Sequence, residues 1–223
     1  MKYLLRDGEV GVLRTCAEDG SSHNGFRWPL EVGAEVVAPD WDPTPECGHG
    51  LHGLLRGAGS GNLLCWDTGA KWLVLAVPAA ECVDLTGKVK FPRARVVHVG
   101  DRSSASALLR EWYPDEAVTG ASVTGGDRAT VTGGDYATVT GGDHATVTGG
   151  DYATVTGGNH ATVTGGDYAT VTGGNYATVC VQWWDGKSSR RRIAVGYVGE
   201  DGMEAGVPYC VVDGKLVRKE VAK

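Results

Sequence analysis

Long apolar runs and paired cysteines are both missing from this 223-residue sequence. No run approaches the roughly 20 residues that a membrane-spanning helix needs, and the start, Met1–Arg6, lacks the apolar stretch of a signal peptide. The six cysteines are scattered without a paired spacing, which favours a reduced compartment over a disulfide framework. We therefore expect a cytoplasmic protein that does not insert into membranes.

Basic residues are scarcest between residues 121 and 179, where five Asp accompany a single Arg. Affinity for nucleic acid depends on Lys and Arg placed next to phosphates. Direct nucleic-acid binding by this segment is therefore not expected. The apolar fraction of the whole chain, 42 %, is ordinary for a soluble globular protein.

The segment between Ala121 and Val179 repeats one eight-residue phrase, Ala-Thr-Val-Thr-Gly-Gly-Asp-Tyr, with little variation. Alternation of small apolar residues with Thr is the period-two pattern of a strand that has one buried and one exposed face. Gly-Gly-Asp is typical of a corner, since Gly accepts positive φ and Asp bonds its own backbone in turns. Short repeats that cannot bury their own apolar face must stack, so the pattern predicts a β-solenoid.

The last residue of each phrase indicates how many phrases make one coil. Tyr136, Tyr152 and Tyr168 recur every sixteen residues, whereas Arg128, His144, His160 and Tyr176 occupy the alternate positions. A three-strand coil of twenty-four residues would mix the two sets. The fold class is therefore mainly β, with a four-coil, two-strand-per-coil solenoid at 114–179, an α+β N-terminal domain at 1–113 and a small β cap at 180–223.

The N-terminal domain is predicted to hold strands at Leu73–Val77 and Val96–Val99, and a Ser-capped helix over 103–113. Its chemically suggestive stretch is Cys47 to Gly53, where Cys47, His49 and His52 are weak candidates for zinc ligands. A structural zinc site needs a fourth ligand and none is indicated, so we favour a glycine-rich turn without metal or other cofactor.

Several motifs around this turn resemble an N-terminal domain of uncharacterised bacterial and phage proteins. They are Gly25-Phe26-Arg27-Trp28-Pro29, Pro45–Gly53 with its Cys-Gly-His-Gly-Leu-His core, and Lys71–Val74. The C-terminal piece of those proteins is similar to two further segments here, Trp183–Lys187 and Val195–Gly199. That resemblance implies no activity. Gly50-Leu51-His52-Gly53 is also similar to strands of ADP-ribosyltransferases, which leaves an enzyme in this domain as an alternative.

The Thr-Val-Thr phrase is similar to the Thr-x-Thr ladders of insect antifreeze proteins and bacterial ice-nucleation proteins. The resemblance implies flat arrays of hydroxyl and methyl groups that meet ordered water, on both faces of the rod. Against this, solvent-facing strands favour Thr for its β-propensity alone.

Further columns of side chains suggest partners. Asp135, Asp151 and Asp167 form one column of period sixteen, and Asp127 and Asp143 with Asn159 and Asn175 form its partner. Their regularly spaced carboxylates resemble the charge pattern of a nucleic-acid backbone. The aromatic column of Tyr136, Tyr152 and Tyr168 could meet its own copy across a two-fold axis. Turn chemistry alone also accounts for the Asp column.

From these features we expect a non-catalytic protein that binds a macromolecular partner through the Asp and Tyr columns. The leading hypothesis is a phage-type inhibitor of host defence or nucleic-acid machinery, similar to anti-CRISPR proteins, that mimics nucleic acid and forms a homodimer. An ice- or surface-binding Thr ladder is the first alternative.

Overall fold

The computed structural model describes residues 4–220, and this part of the chain falls into two compact units that divide after Val118. The first unit holds an antiparallel sheet and one α-helix, and the second holds the repeats and the C-terminal strands. Within residues 4–220, no helix is both long and apolar enough to span a membrane.

The first unit is built on a seven-stranded antiparallel sheet with the strand order β2-β7-β4-β1-β3-β6-β5. The strands are β1 (Glu9–Cys16), β2 (Glu35–Val37), β3 (Leu51–Leu55), β4 (Lys71–Pro78), β5 (Val83–Asp84), β6 (Val89–Phe91) and β7 (Arg93–Gly100). Short 3-10 turns lie at His23–Gly25, Gly61–Leu63 and Ala79–Glu81.

The central strands β1, β4 and β7 carry continuous apolar runs because they are covered on both faces. Leu73, Val74 and Leu75 are fully buried, and these runs include the two strands predicted from the sequence. The helix α1 spans Arg102–Trp112 and packs against these three strands. Asp101, and not Ser103, caps it: the Asp101 carboxylate accepts the backbone N–H of Ser104 at 2.8 Å.

The second unit contains a two-sided solenoid, which confirms the predicted fold class. One parallel sheet stacks β8 (Ser122–Thr124), β10 (Thr138–Thr140), β12 (Thr154–Thr156) and β14 (Thr170–Thr172). The other stacks β9 (Thr130–Thr132), β11 (Thr146–Thr148), β13 (Thr162–Gly165) and the start of β15 (Thr178–Asp185). Partners are sixteen residues apart, as in Thr138 beside Thr154, so two phrases make one coil.

Between the two sheets lies a thin core of Ala and Val. Val139, Val147 and Val155 are fully buried, and the Ala at the start of each phrase is buried as well except Ala129, which is partly exposed. Only small side chains fit this spacing. The predicted alternation of buried Ala and Val with outward Thr is therefore what closes each coil.

The corners differ from the expectation that glycine supplies positive φ there. The left-handed residue is the last of each phrase, with φ between 55° and 59° at Arg128, Tyr136, His144, Tyr152, His160, Tyr168 and Tyr176. Such a conformation costs a non-glycine residue about 1–2 kcal/mol. It is offset because that residue's backbone N–H donates to the next coil, as from Tyr136 to the Asp151 carbonyl at 2.8 Å.

Glycine is needed at the corners for space. A Cβ on Gly141, the first glycine of its pair, would lie 2.5 Å from Val147 Cγ2 within the same coil. A Cβ on Gly150, a second glycine, would lie 2.4 Å from the Asp135 Oδ1 of the preceding coil. The absence of a Cβ on the first glycine leaves room for the core side chains. On the second glycine it leaves room for the corner of the neighbouring coil.

Two antiparallel hairpins finish the second unit. β15 continues to Asp185 and pairs with β16 (Arg190–Tyr197), while β17 (Pro208–Val212) pairs with both β14 and β18 (Lys215–Arg218). The turn at Asp213-Gly214 has positive φ at both residues, as a tight hairpin turn requires. These hairpins cover the last edges of both solenoid sheets.

Candidate functional site

The outer surface of each solenoid sheet is a grid of Thr side chains. The first Thr face, on β8, β10, β12 and β14, carries Ser122/Thr124, Thr138/Thr140, Thr154/Thr156 and Thr170/Thr172. The second Thr face, on β9, β11, β13 and β15, carries Thr130/Thr132, Thr146/Thr148, Thr162/Thr164 and Thr178/Cys180. Outward residues on one strand lie about 6.6 Å apart, and neighbours on adjacent coils about 4.8 Å apart.

The two faces differ in which residues form their open pairs. On the first face the row begins with Ser122, and Thr170 is 8 % exposed because the Lys219 ammonium donates to its hydroxyl at 2.6 Å. On the second face Thr130, Thr146 and Thr162 are all exposed. The last pair of the second face, Thr178/Cys180, is also partly covered, so each face keeps three open pairs. All three are Thr-x-Thr on the second face, whereas the first face begins with Ser122/Thr124.

Rigidity of these grids follows from the backbone that holds them. Each Thr pair lies in a parallel ladder in register with the neighbouring coils or a capping strand, and only the first strands, β8 and β9, are paired on one side alone. Thr is β-branched, so its χ1 angle is restricted on a strand. The hydroxyl and methyl groups therefore repeat at fixed positions along the face.

The Asp column is part of the corner ladder. Oδ1 of each Asp accepts the backbone N–H of the residue sixteen positions later: Asp127 from Asp143 at 2.9 Å, Asp135 from Asp151 at 2.9 Å, Asp143 from Asn159 at 2.7 Å and Asp151 from Asp167 at 2.8 Å. These hydrogen bonds lower the pKa of Asp143, most strongly the bond from the Asn159 backbone. One oxygen of each of these carboxylates is thus committed within the solenoid.

Asn performs the same task in this column. Asn159 Oδ1 accepts the backbone N–H of Asn175 at 2.9 Å, with the geometry of the Asp residues before it. The corner therefore requires a side chain of this length that ends in an acceptor oxygen, and it does not require a negative charge. Asp167 follows Asp135 and Asp151 in the other column, and its Oδ1 accepts the neighbouring Tyr168 N–H at 3.1 Å.

The aromatic columns stack as the sixteen-residue period predicts. The rings of Tyr136, Tyr152 and Tyr168 lie with centroids 4.7 and 4.9 Å apart and nearly parallel planes. In the alternate column His144, His160 and Tyr176 stack at 4.9 and 5.1 Å. Exposure in the Tyr column rises from 39 % at Tyr152 to 67 % at Tyr168, which leaves ring surface open along this edge.

The weak zinc candidates of the N-terminal unit have separate surroundings. Cys47 Sγ accepts a hydrogen bond from the Lys88 ammonium at 3.0 Å, and His49 Nδ1 lies 3.6 Å from the Asp40 carboxylate. His52 lines a different, internal cavity. Among residues 4–220 no group of three or more His, Cys, Asp or Glu side chains is arranged to hold a metal ion.

Comparison with known proteins finds ice nucleation proteins. The chain is 43 % identical over 113 residues to one from Pseudomonas syringae pv. syringae, a match covering 50 % of this chain and 9 % of that protein. The ice nucleation protein InaU of Pantoea ananas is 38 % identical over 107 residues, covering 47 % of this chain and 10 % of the relative. One from Xanthomonas campestris pv. translucens is 39 % identical over 99 residues, covering 44 % and 6 %.

The chain therefore spans about a tenth of the length of the curated relatives it matches. The match to the Pseudomonas protein is longer than segment 121–179, so it extends beyond the eight-residue repeats. No protein-family model matches the chain, and no solved structure matches it. The resemblance of the N-terminal motifs to bacterial and phage proteins stays a prediction.

These relatives correct the leading functional hypothesis. A phage-type, anti-CRISPR-like inhibitor that mimics nucleic acid is wrong, since the similar proteins are named for ice nucleation. The physical reason lies at the corners, where carboxylates bond the next coil and Asn can replace Asp. None of the relatives' names denotes an enzyme, in agreement with the expectation of a non-catalytic protein.

The expected cytoplasmic location is wrong on the same finding. That expectation was a default drawn from features that the sequence lacks, and it had no positive observation behind it. Relatives named for nucleating ice do not support it.

Proposed function

We propose that the solenoid binds ice through its second Thr face. The observation that carries the proposal is the run of three uncovered Thr-x-Thr pairs on β9, β11 and β13, held in register by parallel ladders. The similarity to ice nucleation proteins supports it.

The chemistry of this face suits ordered water. Each Thr presents a hydroxyl that donates and accepts hydrogen bonds beside a methyl group that does neither. The Thr side chains recur about every 4.8 Å across coils and about every 6.6 Å along a strand. A rigid grid of this kind loses little side-chain entropy when water freezes onto it, because the Thr rotamers are already restricted.

The number of coils limits what one copy can do. Three open Thr pairs cover far less area than the repeats of a relative about ten times longer than the matched part of this chain. The energy gained by an ice embryo grows with the surface that contacts it. We therefore propose adsorption to existing ice as the activity of a single copy, with nucleation requiring more Thr surface.

Substitution of one central Thr on each face tests the proposal. Thr146→Lys places a long, charged side chain in the middle of the second Thr face, and Thr138→Lys makes the same change on the first face. Both positions are exposed and open a Thr-Val-Thr strand, so their effects on folding are matched. Circular dichroism melting of both variants checks that match.

Ice-affinity partitioning of the full chain gives the readout. We expect Thr146→Lys to lose most of the ice-bound fraction and Thr138→Lys to keep most of it. Equal behaviour of the two folded variants, or wild-type protein excluded from ice like a control globular protein, would refute binding through the second face.

We also propose that copies associate through the Tyr column. The stacked rings of Tyr136, Tyr152 and Tyr168 form an apolar edge that exposes more surface towards Tyr168, and pairing two such edges would enlarge the Thr area. Tyr152→His tests this, because His already occupies the same left-handed position in the alternate column. In sedimentation experiments, Tyr152→His should dimerise more weakly than Tyr176→His. Wild-type protein that sediments only as a monomer would contradict the proposal.

A further inference from the structure

The N-terminal unit contains a small cavity lined by residues of that unit alone. It has a volume of about 60 Å³ and is lined by Arg14, His52 and Lys88 together with Leu54, Leu63 and Leu64. The polar groups come from β1, β3 and the residue before β6, and the leucines supply an apolar wall. A water molecule occupies about 30 Å³, so the space suits one small polyatomic ion.

Two of the lining residues have buried polar atoms without a partner. Across residues 4–220, the buried side-chain nitrogens and oxygens lacking a hydrogen bond are Arg14 Nε, His52 Nε2 and Arg95 Nε. Leaving such a group unsatisfied costs about 1–3 kcal/mol, and native structures contain few of them. Two of the three line one cavity, and because Arg14 Nε–H can only donate, the cavity suits a ligand that accepts hydrogen bonds.

The charge of the cavity wall has one sign. Arg14 and Lys88 are both cationic, and no carboxylate is among the lining residues. Lys90 on β6 is the cross-strand partner of His52 on β3. Its ammonium donates a hydrogen bond to the Glu46 carbonyl oxygen at 2.9 Å. Burial and then the charges of Lys88, Arg14 and Lys90 lower the pKa of His52 to about 4, so its imidazole is neutral near neutral pH.

The Arg14 guanidinium is held in place by its neighbours. It lies 5.3 Å from the centre of the Trp28 ring, and burial lowers its pKa. Arg14 remains charged at neutral pH even so, because arginine starts from a value far above it. The positive charge is thus fixed at the cavity and partly withdrawn from solvent.

We propose that this cavity binds one tetrahedral oxyanion, a phosphate group either free or at the end of a phosphate ester. The Arg14 guanidinium on β1 and the Lys88 ammonium beside β6 supply charged donors, and the neutral His52 imidazole on β3 presents Nε2, which donates or accepts according to its tautomer. Arg and Lys beside an oxyanion form charge-assisted hydrogen bonds, which are about twice as strong as neutral ones.

The contact between Lys88 and Cys47 gives an internal reporter of binding. The Lys88 ammonium donates to Cys47 Sγ at 3.0 Å, and that contact lowers the pKa of the exposed thiol. An anion that shares the charge of Lys88 raises the pKa of Cys47 and reduces its thiolate fraction. Alkylation of Cys47 should therefore slow as the cavity fills.

Titration calorimetry on the full chain tests the proposal with two probes. Inorganic phosphate and phenyl phosphate are added separately, at constant ionic strength set with sodium chloride. Saturable binding of both probes assigns free phosphate as a sufficient ligand, and saturable binding of phenyl phosphate alone assigns an ester. Absence of saturable binding with either probe overturns the proposal.

Variants separate the cavity from general charge effects. Arg14→Gln and Lys88→Gln should each weaken binding roughly tenfold or more, since each removes a charge-assisted bond. Arg27→Gln removes an exposed positive charge elsewhere in this unit and should leave affinity unchanged. Lys88→Gln keeps the experiment decisive if Arg14→Gln fails to fold. Binding by Lys88→Gln as strong as by Arg27→Gln, or a Cys47 alkylation rate unaffected by phosphate, would contradict the assignment.

Discussion

The role of the second corner glycine can be tested by one substitution made in two places. Gly126 and Gly150 hold the same position in the phrase, and neither has positive φ. A Cβ on Gly126 meets no atom within 4 Å, whereas one on Gly150 would lie 2.4 Å from Asp135 Oδ1 and 2.6 Å from the Asp135 backbone nitrogen. The difference arises because a coil precedes Gly150 in the stack.

The expected free energies of unfolding follow from that difference. Gly126→Ala should be neutral or stabilise by about 0.4–1 kcal/mol, because alanine restricts the unfolded chain and meets nothing in the folded one. Gly150→Ala must shift backbone in a packed corner, which costs about 1–3 kcal/mol. The two variants should therefore differ by roughly 1–4 kcal/mol, or about 5–20 °C in the Tm of the solenoid unit.

Thermal melting followed by circular dichroism in the β-sheet region measures this difference. Wild type and both variants are compared at one protein concentration, since self-association would shift the apparent Tm. Equal melting of Gly150→Ala and Gly126→Ala would refute the corner packing, and with it the assignment of neighbouring coils to copies sixteen residues apart.

Two further predictions concern single side chains. Asp151→Asn should melt close to wild type, because an amide oxygen still accepts the Asp167 N–H and the lost ion pair with Arg191 is half-exposed. Asp151→Ala removes the acceptor and should lower the free energy of unfolding by about 1–2 kcal/mol. A large loss of stability in both variants would contradict this. The pKa of His52 is lowered on folding, so its contribution to stability is complete above about pH 6.5 and is lost as pH falls towards 4. Urea unfolding of the N-terminal unit should show that loss in wild type and less of it in His52→Gln, and identical pH profiles would refute the burial of a neutral imidazole.

The solenoid was predictable because its sequence repeats the same physical requirement eight times. The alternation of Ala and Val with Thr predicts the buried and exposed faces, and the recurrence of Tyr136, Tyr152 and Tyr168 predicts the coil length. Both predictions are confirmed. Periodicity is informative here since each residue type must fit between identical neighbours above and below.

The corner mechanism was not predictable from residue preferences alone. Glycine is the residue most often found at positive φ, yet Tyr152 and its equivalents adopt that conformation here. The glycines are required by atoms of a different coil, Gly150 by Asp135, and such a contact has no signature in the local sequence. The corner hydrogen bonds of the Asp residues were not predictable for the same reason, because their Oδ1 atoms accept from N–H groups sixteen residues away.

The N-terminal cavity was also beyond sequence reasoning. His52 was singled out for its spacing to Cys47 and His49, but its cavity partners are Arg14 and Lys88, which lie 38 and 36 residues away in the chain. Strand pairing in the antiparallel sheet brings these elements together. A single sequence shows which residues carry charge, but not which strand edges meet.

Lengthening the rod tests the account most directly. Duplication of residues 145–160 adds one complete coil and extends both Thr faces, whereas duplication of residues 145–152 adds half a coil and shifts every later strand to the opposite face. Ice-affinity partitioning should increase for the whole-coil protein and not for the half-coil protein. A folded whole-coil protein that binds ice no better than wild type would contradict the claim that stacked Thr pairs form the ice-binding surface.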